Sequence, residues 1–236
     1  NMAYIGQTPT AVPLVAGDIT DGIISEAKLA ADAVSLAKMK AGTDGNIISY
    51  DASGNPVAIA TGSDGQVLTS AGAGAPPAFE AAAGITLGTT IASTSGTAID
   101  FTGIPAGTKK IFIMFTGVST SATDYLLIQL GDSGGFETSG YVSTTAEFIG
   151  STSVATDTTG FEMATGVAAG LVSGHMILTL SKADTFSWVS SHVAGFTNDV
   201  VVGGGHKSLS AELTQIRIDT NGSDTFDAGA INISYE

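Results

Sequence analysis

Two short internal repeats in the first third of the chain constrain its fold most, because neither is large enough to fold alone. The longer begins Gly42-Thr43-Asp44-Gly45-Asn46-Ile47-Ile48-Ser49 and returns 20 residues later as Gly62-Ser63-Asp64-Gly65-Gln66-Val67-Leu68-Thr69. The offset persists, with Pro56 recurring as Pro76 and Ile59 as Phe79. The shorter, Ile24-Ser25-Glu26-Ala27-Lys28-Leu29, is echoed 10 residues on by Val34-Ser35-Leu36-Ala37-Lys38-Met39. Units repeated at a fixed period bury their apolar faces against neighbouring copies. Two copies are too few for a solenoid within one chain, so the expected neighbours are other chains, wound together in a fibre.

Composition supports a turn-rich β protein. The 236 residues include 31 Gly, and only 13% are charged, while 43% apolar content is too high for general disorder. No apolar run reaches the roughly 18 residues that span a bilayer. Met2-Ala3-Tyr4-Ile5-Gly6 has neither a basic nor an apolar stretch of the secretory kind. Cysteine is absent, which removes disulfides, thiolate metal sites and a thiol nucleophile. Eight basic against 22 acidic residues give a net charge of −14. That balance argues against nucleic acid and against anionic membrane as partners, since both attract clustered Lys and Arg. If the protein meets a bacterial surface, recognition must rest on hydrogen bonds and apolar contacts.

Along the chain, residues 1–17 read as an extended arm, with Pro9 and Pro13 biasing the backbone away from helix. Residues 18–41 admit two readings: repeated strand-and-turn units with short helical turns, or one amphipathic helix using Leu29, Ala33 and Leu36 in a three-chain bundle. In residues 42–85, Asp44-Gly45 and Asp64-Gly65 are tight-turn dipeptides, followed by short strands over 47–50 and 67–69. Ser53-Gly54-Asn55 reverses the chain into a strand over 57–59. Ala71-Gly72-Ala73-Gly74-Ala75-Pro76-Pro77 is linker chemistry. From about Ile85 the pattern becomes alternating β-strand. Strands are expected near Ile99 and over 110–115, 125–130, 140–148, 175–180, 185–194, 215–218 and 231–235, among roughly nine or ten separated by Gly, Ser and Asp turns, the pattern of a sandwich or jelly roll. The runs at 110–115 and 125–130 are continuous enough for strands covered on both faces.

Two segments resemble the C-terminal domain of bacteriophage and prophage tail fibre proteins. One runs from Phe101-Thr-Gly-Ile104-Pro105-Ala-Gly107-Thr-Lys109-Lys110-Ile111 through Gln129-Leu-Gly131-Asp132-Ser133-Gly134-Gly135. The other runs from Lys207-Ser208-Leu209-Ser210 through Asp224-Thr225-Phe226-Asp227-Ala228-Gly229 to the last strand. The repeats resemble shaft segments of the same proteins, namely Ala27-Lys28-Leu29-Ala30 and Gly65-Gln66-Val67-Leu68-Thr69-Ser70 followed by Pro76-Pro77. The resemblance implies a homotrimer mounted on the virion by its N-terminal part, with a distal domain facing the host. Only two copies of each repeat are present, so the expected fibre is short. A head fibre or capsid decoration protein, and a glycan-degrading tailspike, are the alternatives.

Candidate chemistry is sparse. Asp219-Thr220-Asn221-Gly222-Ser223-Asp224 echoes a calcium loop but lacks its closing Glu, and a plain turn explains it too. His175, His192 and His206 have no metal-site spacing. No Gly-x-Ser-x-Gly elbow and no Walker loop is present, and no carboxylate pair is singled out, so the expectation is binding without catalysis and without a cofactor. Trp188 and Phe186 are expected in the core. The loop carrying Phe136, Glu137, Thr138 and Tyr141, and the polar run 151–160 with Ser151, Thr152 and Asp157, are the candidate receptor-binding segments, because loops at a sandwich end are natural recognition surfaces and an aromatic ring can stack on a sugar. The expected organisation is an anchoring arm (1–17), an intertwined trimeric shaft (18–85) and a β-sandwich knob (86–236).

Overall fold

The structure is a computed structural model that describes residues 15–29, 34, 40–149, 151–163, 168, 170–196 and 199–236. Apart from two three-residue 3-10 turns, Ala16–Asp18 and Glu26–Lys28, all regular structure among the described residues is β-strand. The all-β expectation holds. Most of the N-terminal arm lies outside the described residues. So do Ala33, Leu36 and most of the second copy of the ten-residue repeat. The chain divides into two compact units, Asn1–Ala82 and Ala83–Glu236.

The first unit holds two separate hairpins. Strand β1 (Ile47–Tyr50) pairs with β2 (Pro56–Ile59), and β3 (Gln66–Thr69) pairs with β4 (Ala78–Ala81). Gly45 and Gly65 take φ of +76° and +82°, the left-handed conformation their turns require. Asp51 closes the first hairpin, its Oδ1 accepting hydrogen bonds from the N–H groups of Ser53 (2.8 Å) and Asn55 (2.9 Å). These hairpins enclose almost nothing. Ile59 is the one buried apolar side chain among the unit's described residues, while Ile48, Tyr50, Val67 and Leu68 stand 44–65% exposed.

The second unit contains β5 (Thr86–Leu87), β6 (Ile91–Ala92), β7 (Ala98–Thr102), β8 (Lys110–Thr120), β9 (Leu127–Asp132), β10 (Gly135–Phe136), β11 (Val142–Ile149), β12 (Ser151–Asp157), β13 (Phe161–Glu162), β14 (Val172–Lys182), β15 (Ser187–Phe196), β16 (Asp199–Ser208), β17 (Gln215–Asp219) and β18 (Phe226–Tyr235). A five-stranded sheet runs β10-β9-β17-β7, with β13 also on β9. A nine-stranded sheet runs β12-β11-β16-β15-β14-β8-β18-β5, with β6 also on β18. Their inner faces share one apolar core. Ile99, Ile128, Leu130, Ile216 and Ile218 from the smaller sheet join Ile111, Ile113, Met176, Leu178, Trp188 and Ile233 from the larger. Trp188 is buried and Phe186 packs against the same cluster, as expected.

Strands β12 and β16 are the two long strands that the sequence pattern did not single out; the short β4, β5, β6, β10 and β13 were not singled out either. Gly203-Gly204-Gly205 lies inside β16, where glycine ordinarily weakens a strand. The reason is a close approach. A Cβ on Gly203 would stand 2.5 Å from both His192 Cε1 and the Thr144 carbonyl oxygen. The bare backbone lets the His192 ring cross β16 and reach Thr145 Oγ1 on β11, 2.9 Å from its Nε2. Of the two continuous apolar runs, β9 is buried at all six positions. Strand β8 instead alternates, because Phe112 and Met114 face outward and remain half-buried.

Candidate functional site

The loop after β10 is held down rather than free. Phe136 pairs with Gly131 in the β9–β10 hairpin, and the Arg217 guanidinium lies 4.2 Å from the Phe136 ring centroid. Arg217 also donates from Nε and one Nη to the two Asp100 oxygens, each at 2.8 Å. These bonds to Asp100 raise the guanidinium's affinity for its proton. Gly131 makes room for this stack, since a Cβ there would lie 2.8 Å from Gln215 Cγ and 3.0 Å from Phe136 Cδ1.

Glu137 faces a buried cation. Its Oε2 is 2.5 Å from Lys207 Nζ, a side chain only 6% exposed, and its Oε1 accepts the Ser210 N–H at 2.7 Å. Burial alone would raise the Glu137 carboxyl, but the Lys207 ammonium and the Ser210 N–H outweigh it and hold the group below its ordinary value. Lys207 Nζ also sits 5.3 Å from the Tyr141 ring centroid. Beside it, the Ser210 hydroxyl, with the Gly134 N–H, keeps Asp132 in its charged form.

Tyr141 corrects the sugar-stacking expectation. It is 2% exposed, edge-on to Phe161 at 5.1 Å between centroids, so its ring has no face to offer a ligand. Its hydroxyl accepts the Leu130 N–H at 2.7 Å and donates to the Glu137 carbonyl at 3.0 Å. Burial pushes the phenol above its ordinary value, so it stays a donor at any working pH.

The polar run 151–160 is a strand followed by a turn. Ser151 and Thr152 pair through their backbones with Ile149 and Phe148, and their side chains lie outside the described residues. Asp157 ends β12 and turns the chain, its Oδ1 accepting from Thr159 N (2.5 Å), Thr159 Oγ1 (2.6 Å) and Gly160 N (3.2 Å). The Tyr141 N–H donates to the Thr158 carbonyl at 3.1 Å, which brings the 136–141 loop and the 157–160 turn together. Ser151 and Thr152 sit at the opposite end of the β11–β12 hairpin, about 20 Å away at strand rise. Thr138 alone is an exposed loop side chain among the candidates with described side chains; Phe136, Glu137 and Asp157 are half-buried.

Alternation along β11 also builds an interior polar group that no motif announced. Ser143, Thr145 and Glu147 point inward, and Ser143 Oγ accepts the Glu162 N–H from β13 at 3.1 Å. Burial, then the charges of Asp157 and Glu147, raise the Glu162 carboxyl above its ordinary value. Desolvation lowers His192 to about 4. Both Glu147 and Glu162 are interior, at 5% and 3% exposure.

The loop 219–224 is tied to Asp124, which lies outside it. Asp124 and Asp224 each accept the other's N–H at 2.8 Å, and a Cβ on Gly222 would collide with the Asp124 carboxylate. His175 and His206 lie on the outer face of the nine-stranded sheet, while His192 points inward. No group of three His, Asp or Glu among the described residues is placed to hold a metal ion. Three clefts of about 400, 340 and 220 Å³ each contain one carboxylate, Asp100, Glu236 and Glu212 respectively. Each of these is engaged, by Arg217, by Lys110 and by the Gly107 N–H. No helix among the described residues is long and apolar enough to cross a membrane. Protein-family models, curated proteins and solved structures all yield no match to this chain.

Proposed function

We propose that this chain is the subunit of a short homotrimeric bacteriophage fibre, most readily a tail fibre, that attaches to the host surface by multivalent binding without catalysis. The reading assigns residues 1–17 to virion anchoring, 18–85 to an intertwined shaft and 86–236 to the host-facing knob. The observation that carries it is the first unit. Two repeated hairpins, with one buried apolar side chain between them and their remaining Ile, Val, Leu and Tyr largely in solvent, form no core of their own. An isolated two-stranded hairpin is marginal in water, so these strands need cover from other copies. Three knobs on one stalk let weak single contacts sum to firm attachment. The engaged, solitary carboxylates of the clefts favour binding over glycan cleavage, which needs two carboxylates facing one bond.

Native mass measurement of the full chain tests the assembly: a mass three times that of the protomer is expected, and a monodisperse protomer would remove the basis of the reading. Gold-labelling the N-terminal region on intact virions tests the location, with label at tails expected and label on heads favouring a capsid fibre. Incubation with host polysaccharide should release no product.

A further inference from the structure

The outer face of the nine-stranded sheet carries no charged side chain across the central stretches of β11, β14, β15 and β16, its Lys110–Glu236 pair standing at the end where β8 begins. Strand registers align outward positions across β12, β11, β16, β15 and β14, so that Val154, Ala146, Val202, Val193 and His175 form one row. Exposure along the face is high for apolar side chains: Val142 54%, Phe148 50%, Val154 63%, Val189 42%, Val193 40% and Val200 45%. Within residues 142–148, 154–156, 173–179, 189–195 and 200–206, no outward position is Asp, Glu, Lys or Arg. Surfaces of small soluble domains are about 25–35% charged. The opposite layer is ordinary by comparison, since Asp100 and Arg217 stand on the outside of the five-stranded sheet.

We propose that this face is where copies of the chain meet, the same face of all three copies turned toward one another about the threefold axis. Three features of the surface select that occupant. The chain carries −14, so two copies repel one another everywhere except where charge is missing. The face's Val, Ala and Gly positions, interspersed with short Ser and Thr side chains, make a flat surface that fits another sheet face, as sheets pack about 10 Å apart. Finally, five strands at about 4.8 Å spacing and seven residues at about 3.4 Å rise give roughly 570 Å², and the outward positions of β8 carry the patch toward the about 800 Å² per partner of a stable interface. Phe112 and Met114 extend the patch on β8.

This inference rests on the multi-chain reading above, but its failure is separable from that reading's failure. Because the chain lacks cysteine, Val193→Cys and, separately, Thr138→Cys each place one thiol in the full-length protein. Maleimide labelling of the native assembly should be at least tenfold slower at position 193 than at 138. Mild oxidation should join 193 thiols into inter-chain disulfides. A multimer whose 193 thiol reacts as fast as the 138 thiol overturns this proposal and leaves the fibre reading intact. A protomeric mass overturns both. Protection that persists in a diluted, protomeric sample means the chain covers this face itself, and also overturns the proposal.

Discussion

Replacing Tyr141 by Phe deletes one oxygen and leaves the surrounding packing in place. The ring keeps its edge contact with Phe161 at 5.1 Å and its position under Lys207 Nζ at 5.3 Å. What disappears is the acceptor for the Leu130 N–H, held at 2.7 Å inside the core. The Glu137 carbonyl, at 3.0 Å, loses its donor too, but it lies on a half-buried loop that water can reach. An orphaned buried N–H costs about 1–3 kcal/mol, so Tyr141→Phe is expected to lower stability by about 2 kcal/mol. For a unit of this size that corresponds to a Tm lower by about 4–8 °C. Trp188, the single tryptophan and only 2% exposed, makes fluorescence in urea a direct report on this unit. Since burial holds the phenol protonated, the loss should be the same at pH 6 and pH 9. A change below about 0.5 kcal/mol, within the range of ordinary surface substitutions, would refute the assigned role of the hydroxyl.

Other perturbations follow from the same geometry. Gly203→Ala forces a methyl against His192 and the Thr144 carbonyl and should cost about 1–3 kcal/mol, whereas Gly195→Ala, whose nearest neighbour is 3.8 Å away, should be mild by the same fluorescence assay. Glu137→Ala leaves the buried Lys207 ammonium unpaired and should cost about 3 kcal/mol or more, with Lys207→Met less damaging; equal losses would contradict the pairing argument. Glu162 has a raised folded value, so its proton is held more tightly in the folded chain. Its contribution is most favourable below the unfolded value and declines as pH climbs through the folded one. Glu162→Gln should therefore raise the urea midpoint at pH 7 and do little at pH 4. For His192, lowered to about 4 from 6.5, the folded chain disfavours the charged ring, so stability falls as pH drops from about 6.5 toward 4; an NMR titration with a midpoint near 6.5 would contradict its burial.

The β character, most strand positions and the core tryptophan were legible in local pattern, because alternation and turn dipeptides depend on neighbours within a few residues. Strand β16 was not, since a Gly-Gly-Gly run argues against a strand until the His192 ring crossing it is known. The candidate site was legible in part. The sequence located the 136–141 loop, but an aromatic in a loop carries no mark of whether its ring faces water or the core. Residues 151–157 read as a polar recognition loop because Ser and Thr alternate with Val and Ala only weakly, and their pairing to β11 made them a strand.

By itself, the sequence determined that this is a cysteine-free, acidic, all-β chain whose leading repeats are too small to enclose a core, because composition and periodicity cap what any local arrangement can bury. Tertiary structure alone decided which side chains share a face. It buried Tyr141, tied Glu137 to Lys207 across 70 residues, gathered Ser143, Thr145 and Glu147 inside, and left a row of valines outside without a charge among them. The physical reason is that a strand's two faces are interchangeable until its partners fix register, and those partners lie far away along the chain.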